Sequence, residues 1–196
     1  MNIKGSDPFR LEACIAVGGV AVFPADTVYG LACDPENEAA AARLYALKGR
    51  APDKPAAVMF FDRDLAFDAL PELGSRTRGL LERLLPGAVT VLLESDRFPL
   101  AGGAGTLGLR VPELRALAGV TRPVLQTSAN LAGGPDPRRI DEVPDEIRRS
   151  ADLVIEGGEL GGTPSTVVDL RGYEDGGEWR IVRVGAVPEA VLRSLA

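Results

Sequence analysis

The chain has 196 residues, 45% of them hydrophobic and 26% charged, which suits one folded domain and excludes a disordered or collagen-like chain. Acidic residues outnumber basic ones by 28 to 22, so the net charge of −6 gives no general attraction to nucleic-acid backbones. Histidine is absent, which removes Ser-His-Asp and Cys-His nucleophiles and every histidine-containing zinc site. What remains is chemistry by carboxylates, hydroxyls, Lys, Arg and backbone amides, of which phosphoryl or nucleotidyl transfer is the main example.

In chain order, Ser6 or Asp7 caps a predicted helix that has Pro8 in its first turn, carries Phe9, Leu11, Cys14 and Ile15, and stops at Gly18-Gly19. Val20 to Phe23 reads as a buried strand. The segment Phe23-Pro24-Ala25-Asp26-Thr27-Val28-Tyr29-Gly30-Leu31 then carries hydroxyl and carboxyl groups on a loop bounded by Pro and Gly. An Ala-rich helix runs from Glu38 to Leu47. Ala57 to Phe61 is the next strand, followed by helices over Asp64 to Leu70 and Ser75 to Leu85, the second stopped by Pro86-Gly87. Strands are expected over Val89 to Glu94, Thr106 to Val111, Pro123 to Thr127, Leu153 to Ile155, Val167 to Leu170 and Trp179 to Val184. Short helices fall at Glu113 to Leu117 and Asp145 to Ser150, and Pro188 to Leu195 closes the chain. No linker or internal repeat interrupts the pattern, so the expectation is a single α/β domain over residues 1–196, with a mixed, twisted sheet flanked by helices.

The apolar stretch Ala13 to Phe23 imitates a secretion signal, but Asp7 and Glu12 stand where positive charge belongs and a glycine pair interrupts it. No apolar run reaches the roughly 18 residues of a membrane helix, so a cytoplasmic protein without a membrane partner is expected. Cys14 and Cys33 lack C-x-x-C spacing and read as buried thiols.

Lys48-Gly49-Arg50-Ala51-Pro52-Asp53-Lys54-Pro55 gathers three cations in seven residues of an acidic protein, a pattern suited to gripping a polyanion. The same cations at a helix C-terminus also complement the helix dipole, and the loop by itself leaves both readings open. Gly103-Ala104-Gly105-Thr106-Leu107-Gly108 matches G-x-G-x-x-G, yet Leu109-Arg110-Val111-Pro112 after it reads as strand rather than helix, which argues against a dinucleotide fold. No Walker A lysine is present. Gly102 to Gly108 and Gly157 to Gly162 are plain turns or places of close backbone approach to a ligand.

Phe23-Pro24-Ala25-Asp26-Thr27-Val28-Tyr29-Gly30-Leu31 closely resembles the PTxTVYGL signature of the YrdC-like threonylcarbamoyl-AMP synthases. Lys48-Gly49-Arg50 with Asp53-Lys54-Pro55 resembles their KxR loop, and Leu109-Arg110-Val111-Pro112 their xRxP strand. Thr127-Ser128-Ala129-Asn130 resembles the SAN motif, Pro164-Ser165-Thr166-Val167-Val168-Asp169-Leu170 the STVVDL strand, and Arg183-Val184-Gly185-Ala186 the RxGA ending. These motifs occur in the family's order over most of the chain.

The resemblance implies a YrdC/RibB-like fold and a nucleotidyltransferase that makes L-threonylcarbamoyladenylate from L-threonine, bicarbonate and ATP, releasing pyrophosphate. That is the first step of the tRNA N6-threonylcarbamoyladenosine modification. It places Thr27, Arg110, Gln126 and Ser165 at L-threonine and Arg50, Lys54, Thr106, Ser128, Asp136 and Arg183 at ATP. Lys48 and Arg50 serve catalysis at the phosphates. A carbamate formed on threonine would attack the α-phosphorus without an enzyme nucleophile, the cations screening charge and aligning the reactants. Mg²⁺ would be held through ATP phosphates, with no dedicated protein metal site. A weak contact with tRNA and a downstream threonylcarbamoyl-transferase complex are further implied partners. Asp26 is read as a turn-stabilising residue rather than a general base. Ala25, Lys54 and Met59 depart from the family pattern, and the chain resembles the short, single-domain members. A YrdC-like RNA- or nucleotide-binding protein without efficient synthase activity is the alternative, and a purely structural or regulatory binding module is a third.

Overall fold

The computed structural model describes residues 4–51, 55–101 and 105–195. Its helices are α1 (Asp7–Ala16), α2 (Glu38–Lys48), α3 (Arg63–Ala69), α4 (Ser75–Leu84), α5 (Asp145–Ser150) and α6 (Glu189–Leu195). Its strands are β1 (Ala21–Pro24), β2 (Tyr29–Cys33), β3 (Ala57–Met59), β4 (Val89–Glu94), β5 (Thr106–Arg110), β6 (Val124–Ser128), β7 (Leu153–Val154), β8 (Thr166–Asp169) and β9 (Arg180–Arg183). They form one sheet in the order β7-β1-β2-β6-β3-β5-β4-β8-β9. The pairs β1/β7, β3/β5 and β4/β8 are parallel and the rest antiparallel, which makes the sheet mixed, as the alternating patterns predict.

Local chemistry accounts for the helix ends. Asn37 accepts a hydrogen bond from the Ala40 amide at 3.0 Å to start α2, and Gly49 stops it at φ 60°, a conformation that favours glycine. Asp62 caps α3 by accepting from the Asp64 and Leu65 amides. Helix α4 begins at Gly74, which has no side chain to cap with, and Glu174, remote in sequence, accepts from the Thr77 amide at 2.7 Å instead. At α1 the expected cap is not made: Ser6 has no capping bond, and Asp7 instead accepts from the Lys4 amide and the Arg10 guanidinium.

Two readings change. Tyr29 to Cys33 is a strand, not loop, because β2 is inserted between β1 and β6 with both faces buried. Residues 113–117 form only a 3-10 turn, Arg115–Leu117. Among the described residues, no helix is long and apolar enough to cross a membrane.

The two faces of the sheet are covered unequally. One face carries Val22, Leu31, Val58, Leu109, Leu125 and Val168, buried against Leu44, Phe67, Leu80, Ile147 and Leu192 of five helices. The other carries Phe23, Met59 and Val124, buried against Leu11 and Ile15 of α1 and against Leu117. Beyond that second cluster the same face continues with Ala57 of β3, Gly108 and Arg110 of β5 and Gln126 of β6, and there an open cleft begins.

Candidate functional site

The cleft has a volume of about 260 Å³ and is lined by residues of β3, β4, β5, β6, β8 and β9 and by the turn before β2. Period-two alternation puts the larger core and the cleft on opposite sides of the sheet: Leu107 and Leu109 are wholly buried under helices, while Gly108 and Arg110 face the cleft. Its floor is kept low by small residues. A Cβ on Gly108 would stand 3.2 Å from the Ala56 carbonyl oxygen, and one on Gly30 would stand 2.8 Å from Nε2 of Gln126.

Charge in the cleft opposes the charge of the protein. Arg50, Arg110 and Arg183 line it, against Asp136 as the one lining carboxylate among the described residues. Arg110 is buried. Its Nη1 donates to Gln126 Oε1 at 3.0 Å and its Nη2 to Asp26 Oδ1 at 2.5 Å, while Nε and Asp26 Oδ2 are buried without a partner. Asp26 is therefore more than a turn residue: it is the counter-ion of Arg110, with side-chain exposures of 10% and 5% for the two. Thr27, beside it, is buried and lines the cleft, with its Oγ1 3.5 Å from Asp26 Oδ1.

The opposite wall is held by hydroxyls. Ser165 Oγ and Thr90 Oγ1 are 2.7 Å apart, and Arg183 Nη2 donates to the Ser165 carbonyl oxygen at 2.8 Å. Arg50 donates through Nη1 to Thr127 Oγ1 at 3.4 Å and through Nη2 to the Pro55 carbonyl oxygen. Thr90 lies outside every motif, and Thr127 lies within the SAN-like segment with no role implied for it by the resemblance. The signal for Thr90 lay in the alternation itself, since Val89, Val91 and Leu93 are buried on the helix face and the residue between must point to the other.

Lys48 departs from the expectation of a phosphate-gripping side chain. It is buried outside the cleft lining, and its Nζ donates to the Ser128 carbonyl oxygen at 2.7 Å, the Asn130 carbonyl oxygen at 3.0 Å and Asn130 Oδ1, with Ser128 Oγ at 3.3 Å. A lysine ammonium has three N–H donors, so its hydrogen-bonding capacity is used in pinning the 128–130 turn. Burial first, then repulsion by Arg50, lowers its pKa from 10.5 to about 8, with Asp136 acting in the opposite sense. Ser128 itself lines the cleft, its hydroxyl donating to Asn130 Oδ1 at 2.8 Å.

Of the other expected site residues, Gln126 and Asp136 line the cleft. Thr106 lies on the Gly108 face of β5 but outside the lining, where its Oγ1 accepts from Arg171 at 3.3 Å. Arg171 is in turn paired with buried Asp169, whose carboxyl the two arginines Arg171 and Arg180 hold well below the usual range. Lys54 lies outside the described residues. Met59 is fully buried beside Phe23 and Val124 and does not reach the cleft. Gly157 to Gly162, open to two readings from sequence, is tied to the Thr27–Tyr29 segment: the Tyr29 hydroxyl accepts from the Gly157 amide and donates to the Gly158 carbonyl oxygen, and the Gly162 amide donates to the Thr27 carbonyl oxygen.

Similarity to known proteins follows the same outline. Residues 13–185 match the family model Sua5_yciO_yrdC, described as telomere recombination. The chain is 36% identical over 167 residues to a threonylcarbamoyl-AMP synthase of Pseudomonas fluorescens, covering 80% of this chain and 88% of that one. It is 30% identical over 184 residues to the threonylcarbamoyl-AMP synthase of Pyrococcus abyssi, covering 89% of this chain and 52% of that protein, so it spans about half of this relative's length. The crystal structure of P. abyssi Sua5 complexed with L-threonine superposes with a TM-score of 0.87 at 28% identity, over 100% of this chain and 58% of that one. On the extent of the family match and of these identities, the chain belongs to the Sua5/YciO/YrdC family.

Proposed function

We propose that this protein is an L-threonylcarbamoyl-AMP synthase that uses L-threonine, bicarbonate and ATP and releases pyrophosphate, supplying the activated intermediate for tRNA N6-threonylcarbamoyladenosine. The observation that carries the reading is the cleft's charge pattern. Three arginines line one open cleft of a protein with net charge −6, and one of them, Arg110, is already paired with a buried carboxylate. An amino acid's carboxylate needs a cation, which Arg110 supplies at the cleft with Asp26 behind it as counter-ion, Gln126 and Thr27 adding polar contacts. The triphosphate needs cations spaced along it, which Arg50 and Arg183 supply within the cleft, with Ser128 and Asp136 also lining it and Ser165 taken as threonine-side.

No enzyme nucleophile is required. The threonine amine adds to bicarbonate-derived CO₂, the resulting carbamate oxygen attacks the α-phosphorus, and pyrophosphate leaves as the bond to it breaks. The protein's part is to hold two anions in line and to screen their repulsion. Among the described residues no group of acidic, Cys or His side chains could form a metal cage. Asp136 with phosphate oxygens and water fits Mg²⁺, which would add charge neutralisation at the phosphates. Lys54, from the same basic loop as Arg50, is proposed to extend the nucleotide contacts, and Thr106 to stand at the far rim of the site. The residues 1–196 are proposed to act as one domain in the cytoplasm and to pass the adenylate to a threonylcarbamoyl-transferase complex, touching tRNA weakly.

The deciding measurement is pyrophosphate release by purified protein with ATP and Mg²⁺. Release should require threonine and bicarbonate together and should be accompanied by an adenylate of the expected mass. ATP hydrolysis independent of threonine, or no turnover in the complete mixture, would favour the RNA- or nucleotide-binding alternative.

A further inference from the structure

We propose that Thr166 is a positioning residue that aims Arg183 into the cleft, acting together with a β-bulge at Val182. The inference rests on the reading of Arg183 as a nucleotide contact. The pairing of β8 with β9 is irregular at one place. Asp169 faces Arg180 and Val168 faces Ile181, but Val167 faces Arg183, so Val182 is an extra residue without a partner. Opposed residues of an antiparallel pair project to the same face, and Val167 lines the cleft. The bulge therefore puts Arg183 on the cleft face. In an unbroken register Val182 would face Val167, and Arg183 would turn to the helix side of the sheet.

A bulge on an edge strand needs something to hold it in place, and Thr166 does so. Its side chain is fully buried. Oγ1 donates to the Val187 carbonyl oxygen at 2.6 Å and accepts from the Gly185 amide at 2.9 Å and the Val187 amide at 3.1 Å. The Ala186 amide completes the clasp by donating to the Pro164 carbonyl oxygen at 2.8 Å. Gly185 is required because a Cβ there would stand 2.2 Å from that same oxygen. Two residues before the clasp, Arg183 is anchored to the Ser165 carbonyl oxygen, so the backbone of Pro164 and Ser165 is gripped at both points. One hydroxyl thus fixes the end of a strand on which Ile181 packs against the core while Val182 and Val184 are exposed.

The test is a double-mutant cycle on affinity for a non-hydrolysable ATP analogue, measured by calorimetry. Thr166→Val keeps the shape and removes the hydroxyl, and should weaken binding by about fivefold, the worth of a hydrogen bond or so, leaving threonine affinity unchanged. Thr166→Ser should restore it, and in an Arg183→Ala background Thr166→Val should add less than about twofold. Should the Val variant fail to fold, Thr166→Ala takes its place. Unchanged affinity in the single variant, or a full additive loss in the Arg183→Ala background, would overturn the proposal. If wild-type protein does not bind the analogue, the nucleotide reading has failed, and the clasp is judged without ligand by the NMR order parameter of the Arg183 side-chain Nε–H. That value falls in Thr166→Val and recovers in Thr166→Ser if Thr166 positions Arg183, and a value unmoved by either variant overturns the proposal.

Discussion

Asp26 Oδ1 and Arg110 Nη2 lie 2.5 Å apart at the cleft, although the two residues stand 84 positions apart in the chain. Both are almost wholly buried, so each charge depends on the other for compensation. Removing one partner leaves an uncompensated buried ion. Asp26→Ala is expected to destabilise the protein by about 3 kcal/mol or more, read from chemical denaturation. A loss near zero would mean that Arg110 finds another counter-ion or reaches water.

The same pair sets the expectation for Arg110→Lys, which keeps the charge but loses the fork that spans Asp26 and Gln126. The apparent KM for threonine should rise roughly tenfold with ATP-analogue affinity little changed. Equal losses for both ligands would identify Arg110 as a purely structural arginine.

Arg50→Ala tests the nucleotide side. If the guanidinium meets phosphate, the variant should lose about 1.5 to 3 kcal/mol of ATP-analogue affinity, the range for charged hydrogen bonds, with the fold retained. Wild-type affinity would reduce Arg50 to a tie between the α2 terminus, Thr127 and Pro55.

Gly30→Ala separates geometry from stability. The new methyl would press on Gln126 Nε2 at 2.8 Å, the far end of a side chain, and more lightly on the Phe23 ring at 3.2 Å, and so should cost about 1 kcal/mol of stability while pushing Gln126 off Arg110. Threonine KM should therefore rise in a variant with nearly normal denaturation. A large loss of stability with unchanged KM would show that Gln126 stays and the sheet yields.

Lys48 makes a pH prediction. Its folded-state pKa of about 8 lies below the ordinary 10.5, so between those values the unfolded chain binds more protons than the folded one, and Lys48's contribution makes the protein more stable as pH rises. The stability of wild type relative to Lys48→Met should accordingly increase from pH 8 to 10.5. Over the same rise the ammonium that pins Ser128 and Asn130 is lost, with Arg50 favouring and Asp136 opposing its deprotonation. ATP-analogue affinity should fall through about pH 8 in wild type and not in the variant. Parallel pH profiles for the two proteins would rule Lys48 out as the titrating group.

By itself the sequence determined most of the helices and strands in their chain order, β2 excepted, the missing histidine and the motifs that mark the family, because propensity, periodicity and short-range spacing are properties of neighbouring residues. Even the face of Arg110 was legible, since Leu107, Leu109 and Val111 alternate with it. What alternation cannot say is which stretch of a face is left uncovered. That was decided when five helices took one side of the sheet and α1 with the turn at Leu117 took only part of the other. The same long-range packing made Tyr29–Cys33 an inner strand, turned Asp26 from a turn residue into a counter-ion, and drew Lys48 behind the 128–130 turn, 80 residues away, instead of toward the cleft. The bulge at Val182 belongs with these, because a one-residue shift of register is set by the partner strand and by the Thr166 clasp rather than by β9.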